Sequence, residues 1–457
     1  MPRKRADKPN VVVFFTDQQR WDSTGVHGNP LELTPNFDRI AQRGTHLFHA
    51  YTCQPVCMPA RSSLQTGKYA TETGCFTNGC TIDPEEQTLG HWFRDAGYHT
   101  GYVGKWHLCH DEPVPEQYRS GYDFWLGSNI LEFTSDAYDT VMYDNDGEPQ
   151  HLPGYRVDAL ADAGIRYMGE HRDEPFFLMM SFIEPHHQNH RDEYAAPEGY
   201  RERYTGRWTP PDLTALGGSS AWHLAGYWGC IKRLDEAFGR VLDAIRSLGL
   251  AEDTVVVFTS DHGSHFKTRN SEYKRACHDG CTRIPMAFTG PGFAAGGQIR
   301  EPVSLVDVPP TLLDAAGLPV PDSMQGRSLL PLVRRDTADW PEEAFIQISE
   351  DICGRAIRTA RWKYGVYAPD ANGGRDSHSD TYVEQFLYDM EADPYEQHNL
   401  AGVKTLADVS ADLRERLQRR IREAEGRDAT ITPAPERGAG QLYGQAFALH
   451  RDSVDFR

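Results

Sequence analysis

No stretch of this 457-residue chain is apolar for long enough to cross a bilayer. Residues 1–10 (MPRKRADKPN) are basic, but the apolar run behind them, residues 11–15, is too short for a signal peptide, so the mature chain is expected to start here and stay in the cytoplasm. Positive charge is in deficit. The 47 Lys and Arg against 66 Asp and Glu leave a formal charge of -19, which argues against nucleic acid or an anionic membrane as the main partner. A small anionic substrate would need a local cluster of Arg, Lys and His, because the averaged field of the protein repels it. Paired CxxC motifs are missing as well. Cys53 with Cys57, Cys75 with Cys80, and Cys277 with Cys281 are close in sequence, yet none forms a CxxC with a matching second pair, so no structural zinc site is expected. Nine cysteines leave at least one unpaired, and in a reducing compartment most or all are thiols. No internal repeat or low-complexity tract stands out.

What is present suits a large folded enzyme. A 39% apolar share excludes global disorder, and the length is too great for one ordinary core. Residues 10–15 (NVVVFF) end in Thr16-Asp17, and residues 254–258 (TVVVF) repeat the design before Asp261-His262-Gly263; both read as buried parallel strands. Residues 176–182 (FFLMMSF) read as another strand. Residues 222–248 carry a helical stripe of Leu234, Phe238, Val241, Leu242 and Ile245. Strands alternating with helices predict an α/β fold, a large, mostly parallel sheet between helices, over residues 1–335. Past Leu330 the composition turns polar. Strand-like segments at 356–367 and 386–390 and a helix near 406–425 predict a smaller α+β subdomain with a short antiparallel sheet over 336–425. Residues 426–457 read as an extended tail that could wrap a neighbouring subunit in a homo-oligomer.

In open α/β sheets ligands collect beyond the carboxyl ends of strands, where Asp17 and Asp261-His262 are expected to meet. Hard carboxylate oxygens, an amide and an imidazole suit a divalent cation, so Asp17, Gln18, Asp261 and His262 are candidate metal ligands. Pro59 suits a first helical turn and Arg61 follows Cys57 by four residues, which puts both on one face at a helix start that favours anions. Lys105 and His107 are two apart, and on an extended segment they would share a face and grip an anion together.

Cys57-Met58-Pro59-Ala60-Arg61, continuing to Thr66-Gly67, resembles the C-x-P-x-R-x-x-x-x-T-G signature of type I sulfatases, in the alkaline phosphatase superfamily. Residues 97–107 (GYHTGYVGKWH) resemble the second signature of that family. Glu184-Pro185-His186 resembles its S-F-x-x-P-H segment, and Lys274, His278, Asp279, Arg283 and Pro285 follow its K-x-x-x-Y-E-x-x-x-R-x-P spacing, with His278 in the usual Tyr place. Residues 355–364 and 387–400 resemble elements of its C-terminal subdomain.

The resemblance implies a hydrolase that cleaves a sulfate monoester to alcohol and sulfate. Its nucleophile would be the hydrated formylglycine made from Cys57 by a maturation enzyme, beside calcium, or else manganese or magnesium. Arg61, Lys105 and Lys274 would hold the sulfuryl oxygens, His186, alone or with Lys274, would be the general acid, His107 or Asp261 a base, and position 57 itself would join the metal ligands. Gln18 and His262 stand where many sulfatases carry Asp and Asn, and this variant also resembles phosphonate monoester hydrolases and choline-sulfatase-like members. A phosphonate monoester or phosphodiester is therefore the alternative substrate. Asp279 and Arg283 read as a structural pair. His187 and His190 read as solvated or adventitiously metal-binding, and Trp208, Trp222 and His223 as loop residues that could face a sugar.

Overall fold

The computed structural model describes residues 8–294 and 296–438. β1 (Asn10–Thr16) is buried along its whole length because it is apolar on both faces: Val11, Val13 and Phe15 enter one layer while Val12 and Phe14 enter the other. β3 (Phe176–Ser181) and β4 (Thr254–Ser260) follow the same logic, whereas β2 (His99–Lys105) gives only Tyr102 to one layer and Val103 to the other. These strands pair in parallel in the order β4-β1-β3-β2, and Phe124–Ser128 extends the parallel core beyond β2. Both flanks are mixed. Met286–Thr289 runs antiparallel beside β4, followed by Thr45–Leu47 and Gly297–Ile299, and Thr140–Tyr143 and Pro149–Leu152 add antiparallel strands at the far edge, which makes ten strands among the described residues.

Helices cover both faces, as the two-sided strands require. α1 (Pro35–Arg43) packs Phe37, Ile40 and Ala41 on the Val12 side, and α2 (Cys57–Thr66) packs Met58, Ala60 and Leu64 on the Val11 side. α3 (Arg156–Glu170) and α4 (Ser220–Ser247) join α1, and α4 buries the expected stripe of Leu234, Phe238, Val241, Leu242 and Ile245. Each such side chain contributes about 1.5–3 kcal/mol of transfer free energy.

The smaller sheet is antiparallel through Glu343–Ile348, Gly354–Thr359, Trp362–Tyr367 and Thr381–Asp389. α5 (Ala407–Glu425) covers it with Leu413, Leu417 and Ile421. Thr430–Thr432 adds a fifth strand, parallel to Thr381–Asp389. Of the sequence expected to form a tail, residues 439–457 lie outside the described residues. All nine cysteines are free thiols, and among the described residues no helix is long and apolar enough to cross a membrane.

Candidate active site

The carboxyl ends of β1, β2, β3 and β4 open onto one place, and each delivers a polar group there: Asp17 after β1, Lys105 at the end of β2, His186 beyond β3, and Asp261-His262 after β4. α2 aims its first residue at the same point. Cys57 opens the helix after extended Val56, Pro59 sits in the first turn, and Asn78 Oδ1 accepts from Met58 N at 3.1 Å, which satisfies one of the helix's free amides. Gly67 ends the helix in the left-handed region at φ 69°, a C-cap that glycine adopts without strain.

Cys57 Sγ lies 3.3 Å from His262 Nε2 and 3.6 Å from Asp17 Oδ1, and Lys274 Nζ donates to it at 2.8 Å. The ligand atoms of Asp17, Cys57, Asp261 and His262 all fall within 4.8 Å of one another. His262 Nδ1 donates to Gly263 O at 2.8 Å, so Nε2 turns its lone pair toward Cys57 and Asp17. Asp261 Oδ1 accepts from the backbone of Gln18 and of His262, while Asp261 Oδ2 is buried with no hydrogen-bond donor. A buried carboxylate oxygen without a donor, beside a second carboxylate and an imidazole nitrogen that faces Cys57 Sγ and lies 3.4 Å from Lys274 Nζ, fits a divalent cation held by hard ligands. Gln18 is turned differently. Its Oε1 accepts from His187 N at 3.2 Å and its Nε2 donates to Tyr194 OH at 3.4 Å.

Three buried cations surround these acids. Arg61 reaches Asp17 Oδ2 at 2.9 Å and Asp261 Oδ2 at 3.6 Å, and it donates to Ser181 Oγ and Lys105 O. Lys105 Nζ is 2.9 Å from Asp17 Oδ2. Burial disfavours the Asp17 carboxylate, but the Lys105 ammonium, with help from His186 and Arg61, holds it well below the usual carboxylate range. Burial and the neighbouring Asp17 push Asp261 up to about 7. Burial, again with Asp17, pushes the Cys57 thiol up to about 12, so as a cysteine it stays protonated and is a poor nucleophile. Lys274 keeps its proton: although burial opposes the charge, Cys57, Tyr273 and Asp17 raise it above the ordinary lysine range. The local cluster of cations that the acidic net charge demands is thus present at one point.

The two histidines differ from their sequence reading. β2 ends at Lys105, and His107 has a left-handed backbone at φ 56°, so the extended segment expected to align the pair is broken by a turn. His107 is still buried, its Nδ1 lacks a partner, and burial with Lys105 holds it neutral. His186 Nδ1 donates to His187 O at 2.7 Å, which leaves Nε2 bare, buried and unpartnered. Burial, reinforced by Lys105 and Lys274, lowers His186 to about 3. In this neutral state it offers Nε2 as a hydrogen-bond acceptor, while the neighbouring Lys274 stays charged.

Further residues fall elsewhere. Asp279 does not pair with the Arg283 side chain. It binds Lys363 and approaches Arg358 at 3.5 Å, because Arg283 lies flat over Trp21, 4.0 Å from the ring centroid. His278 meets Tyr388 OH at 3.1 Å, away from Cys57. His187 is buried rather than solvated, packed on Tyr194 and Tyr273, whereas His190 is half-exposed on Asp136. Trp208 stacks on Trp228, and Trp222 is 70% exposed. Sequence reading missed Glu132, whose Oε1 sits 2.9 Å from Lys105 Nζ with 4% of the residue exposed. It lies in an irregular segment with no motif around it, so no sequence signal points to it.

The sulfatase family model matches residues 9–318, and the model for the N-sulphoglucosamine sulphohydrolase C-terminal region matches residues 271–423. An ulvan-active sulfatase of Formosa agariphila is 30% identical, over 91% of this chain and 81% of its own. An N-acetylglucosamine-6-O-sulfatase of Bacteroides thetaiotaomicron is 26% identical over 93% and 89%. A solved structure in complex with its substrate D-glucosamine-2-N,6-O-disulfate has the same fold, with a TM-score of 0.74 at 24% identity over 92% of this chain and 99% of that one.

Proposed function

From the premise that this chain belongs to the sulfatase family and is a sulfuric ester hydrolase, we propose that its substrate is a sulfated carbohydrate and that Cys57 is the precursor of the nucleophile. The observation that carries the reading is the meeting of Cys57 Sγ with Asp17, His262 and Lys274 at 3.6, 3.3 and 2.8 Å. The sugar comes from the relatives: one acts on ulvan and one removes a 6-O-sulfate from N-acetylglucosamine.

Formylglycine at position 57 would supply a hydrated aldehyde, a nucleophile with a second hydroxyl that would allow sulfate release without a second water. A divalent cation held by Asp17, Asp261 and His262 supplies charge neutralisation at the sulfuryl oxygens and acidifies the hydroxyl; calcium, magnesium and manganese all suit the oxygen-rich set. Arg61 Nη2 binds Asp17 at 2.9 Å and faces Asp261 Oδ2 at 3.6 Å, so its charge lies between the two acids. Lys105 and Arg61 stabilise negative charge as it builds on the transferred group. Lys274 stands 2.8 Å from Sγ with its proton in place, so it is placed to protonate the departing alcohol oxygen. His186 Nε2, buried and without a partner, orients that oxygen by accepting a hydrogen bond from the alcohol once it is protonated. Asp261, poised near neutrality by its neighbour, or His107 takes the proton released in the second half of the reaction.

Two measurements test this together. The mass of the Cys57 peptide from protein co-expressed with a formylglycine-generating enzyme should fall by about 18 Da, a loss that thiol oxidation cannot produce. The same sample should release sulfate from sulfated sugars faster than it turns over aryl phosphodiesters or aryl phosphonates; faster phosphorus chemistry would move the assignment to a phosphonate monoester hydrolase or phosphodiesterase.

A further inference from the structure

A second group of metal-type ligands stands apart from Cys57. His187 follows β3, Asp192 closes the short turn Asn189–Arg191, and His223 is in the first turns of α4. His187 Nε2 is 3.0 Å from Asp192 Oδ1, and His223 Nε2 is 3.7 Å from the same oxygen and 3.2 Å from Asp192 O. The three ligand atoms all lie within 4.8 Å of one another. Zinc holds nitrogen and carboxylate oxygen at roughly 2.0–2.2 Å, which puts tetrahedral ligands ~3.3 Å apart. The two separations to Asp192 Oδ1 bracket that distance, so small shifts bring each imidazole to tetrahedral spacing from the carboxylate.

The surroundings already orient the ligands. His187 is 7% exposed, held between Tyr194 and Tyr273 with ring centroids 5.2 and 5.6 Å away, and its Nδ1 is buried without a partner. The His187 and His223 rings are 5.2 Å apart, both presenting Nε2 to the same carboxylate. The Asp192 side chain is 79% exposed, which leaves water a free coordination position. Two imidazoles and one carboxylate with an open position form the donor set of a borderline metal such as zinc, in contrast to the mostly oxygen-based set at Asp17 and Asp261.

We propose that His187, Asp192 and His223 form a zinc-class metal site at the margin of the active site. The ion joins the segment carrying His186 to α4. Because His187 N also donates to Gln18 Oε1, it braces the turn after β1 as well. The site needs neither formylglycine nor a particular substrate.

The test is calorimetric titration of chelator-stripped protein with Zn2+ in saturating Ca2+, with Co2+ substitution read by its visible absorption. The wild type should bind Zn2+ with a submicromolar Kd. His223→Ala, at a half-buried position, and Asp192→Asn, at the surface, both checked for an unaltered circular dichroism spectrum, should weaken binding by at least about 100-fold, the upper end for losing even a residue that only supports a ligand. Asp261→Asn should leave this binding in place. Wild-type affinity no better than millimolar, or equal affinity in His223→Ala and Asp192→Asn, would overturn the site. Loss of zinc in Asp261→Asn alone would also overturn it, by locating the ion at the Cys57 cluster and leaving the catalytic reading intact.

Discussion

Lys105 Nζ is shared by two buried carboxylates, 2.9 Å from Asp17 Oδ2 and 2.9 Å from Glu132 Oε1. The ammonium is therefore held from both sides, and Glu132 determines how far it can lean toward a bound anion. Glu132 itself is held well below the usual carboxylate range: burial opposes its charge, but Lys105 overrides it. Removing it leaves Lys105 free to collapse on Asp17 and compete with a cation there. Glu132→Gln keeps an acceptor of the same shape and should fold, with kcat/KM lowered about tenfold to a hundredfold, on the order of 1.4–2.7 kcal/mol. Glu132→Ala breaks a buried pair and should lower stability by about 3–5 kcal/mol in chemical denaturation. Wild-type kinetics in Glu132→Gln would show that Lys105 needs no second carboxylate.

Position 57 offers a chemical signature independent of turnover. As a thiol it is pushed up to about 12 by burial and by Asp17, so in protein made without maturation it should resist iodoacetamide at pH 7.5 in the folded state and react once unfolded. Matured protein should instead label with a hydrazide probe, and Cys57→Ala should not. Turnover by Cys57→Ala should drop on the order of a thousandfold or more, because the nucleophile is lost rather than weakened. Hydrazide labelling that persists in Cys57→Ala would assign the aldehyde elsewhere.

How much of this was legible in the sequence depends on the range over which each feature acts. β1 and β4 were readable because burial on both faces demands uninterrupted apolar runs, and α4 because its stripe repeats at the helical period. Cys57, Arg61 and Gly67 were readable as a local motif, since a helix start and its cap lie within eleven residues of each other in sequence. The bend at His107 was not, because the short spacing to Lys105 does not reveal that the strand stops there. Glu132 was hidden for a different reason: its meaning comes wholly from Lys105, 27 positions earlier, and no periodicity encodes that meeting.

Lys363 shows the same limit in the small sheet, where residues 355–364 carry only a resemblance to the family's C-terminal subdomain. Its Nζ binds Asp279, Cys277 O at 2.6 Å and Glu396 Oε1 at 3.0 Å, with no exposed side-chain surface. One buried ammonium thus ties the smaller sheet to the segment that follows Lys274. Lys363→Met should strand two buried carboxylates and cost about 3–5 kcal/mol. It should also lower kcat, since Lys274 lies only three residues before Cys277. Stability lost with kcat unchanged would show that the two sheets are coupled in folding alone.

Metal removal should make stability depend on pH in a defined direction. In the cation-free protein Asp17 and Asp261 face each other, and burial together with Asp17 raises Asp261 to about 7, above its unfolded value. A raised folded value means that the group's stabilising contribution is full below the unfolded carboxylate range and is lost as pH climbs through about 7. Chelated protein should therefore show a Tm that falls between pH 5 and pH 8, beyond any drift in Asp261→Asn. Calcium, magnesium or manganese should restore the loss at the upper end, because the cation replaces the proton between the two carboxylates. Ligand present at about 100 times its Kd adds roughly 2.7 kcal/mol. A chelated Tm that stays level across this window, or a cation response that survives in Asp261→Asn, would remove Asp261 from the metal site.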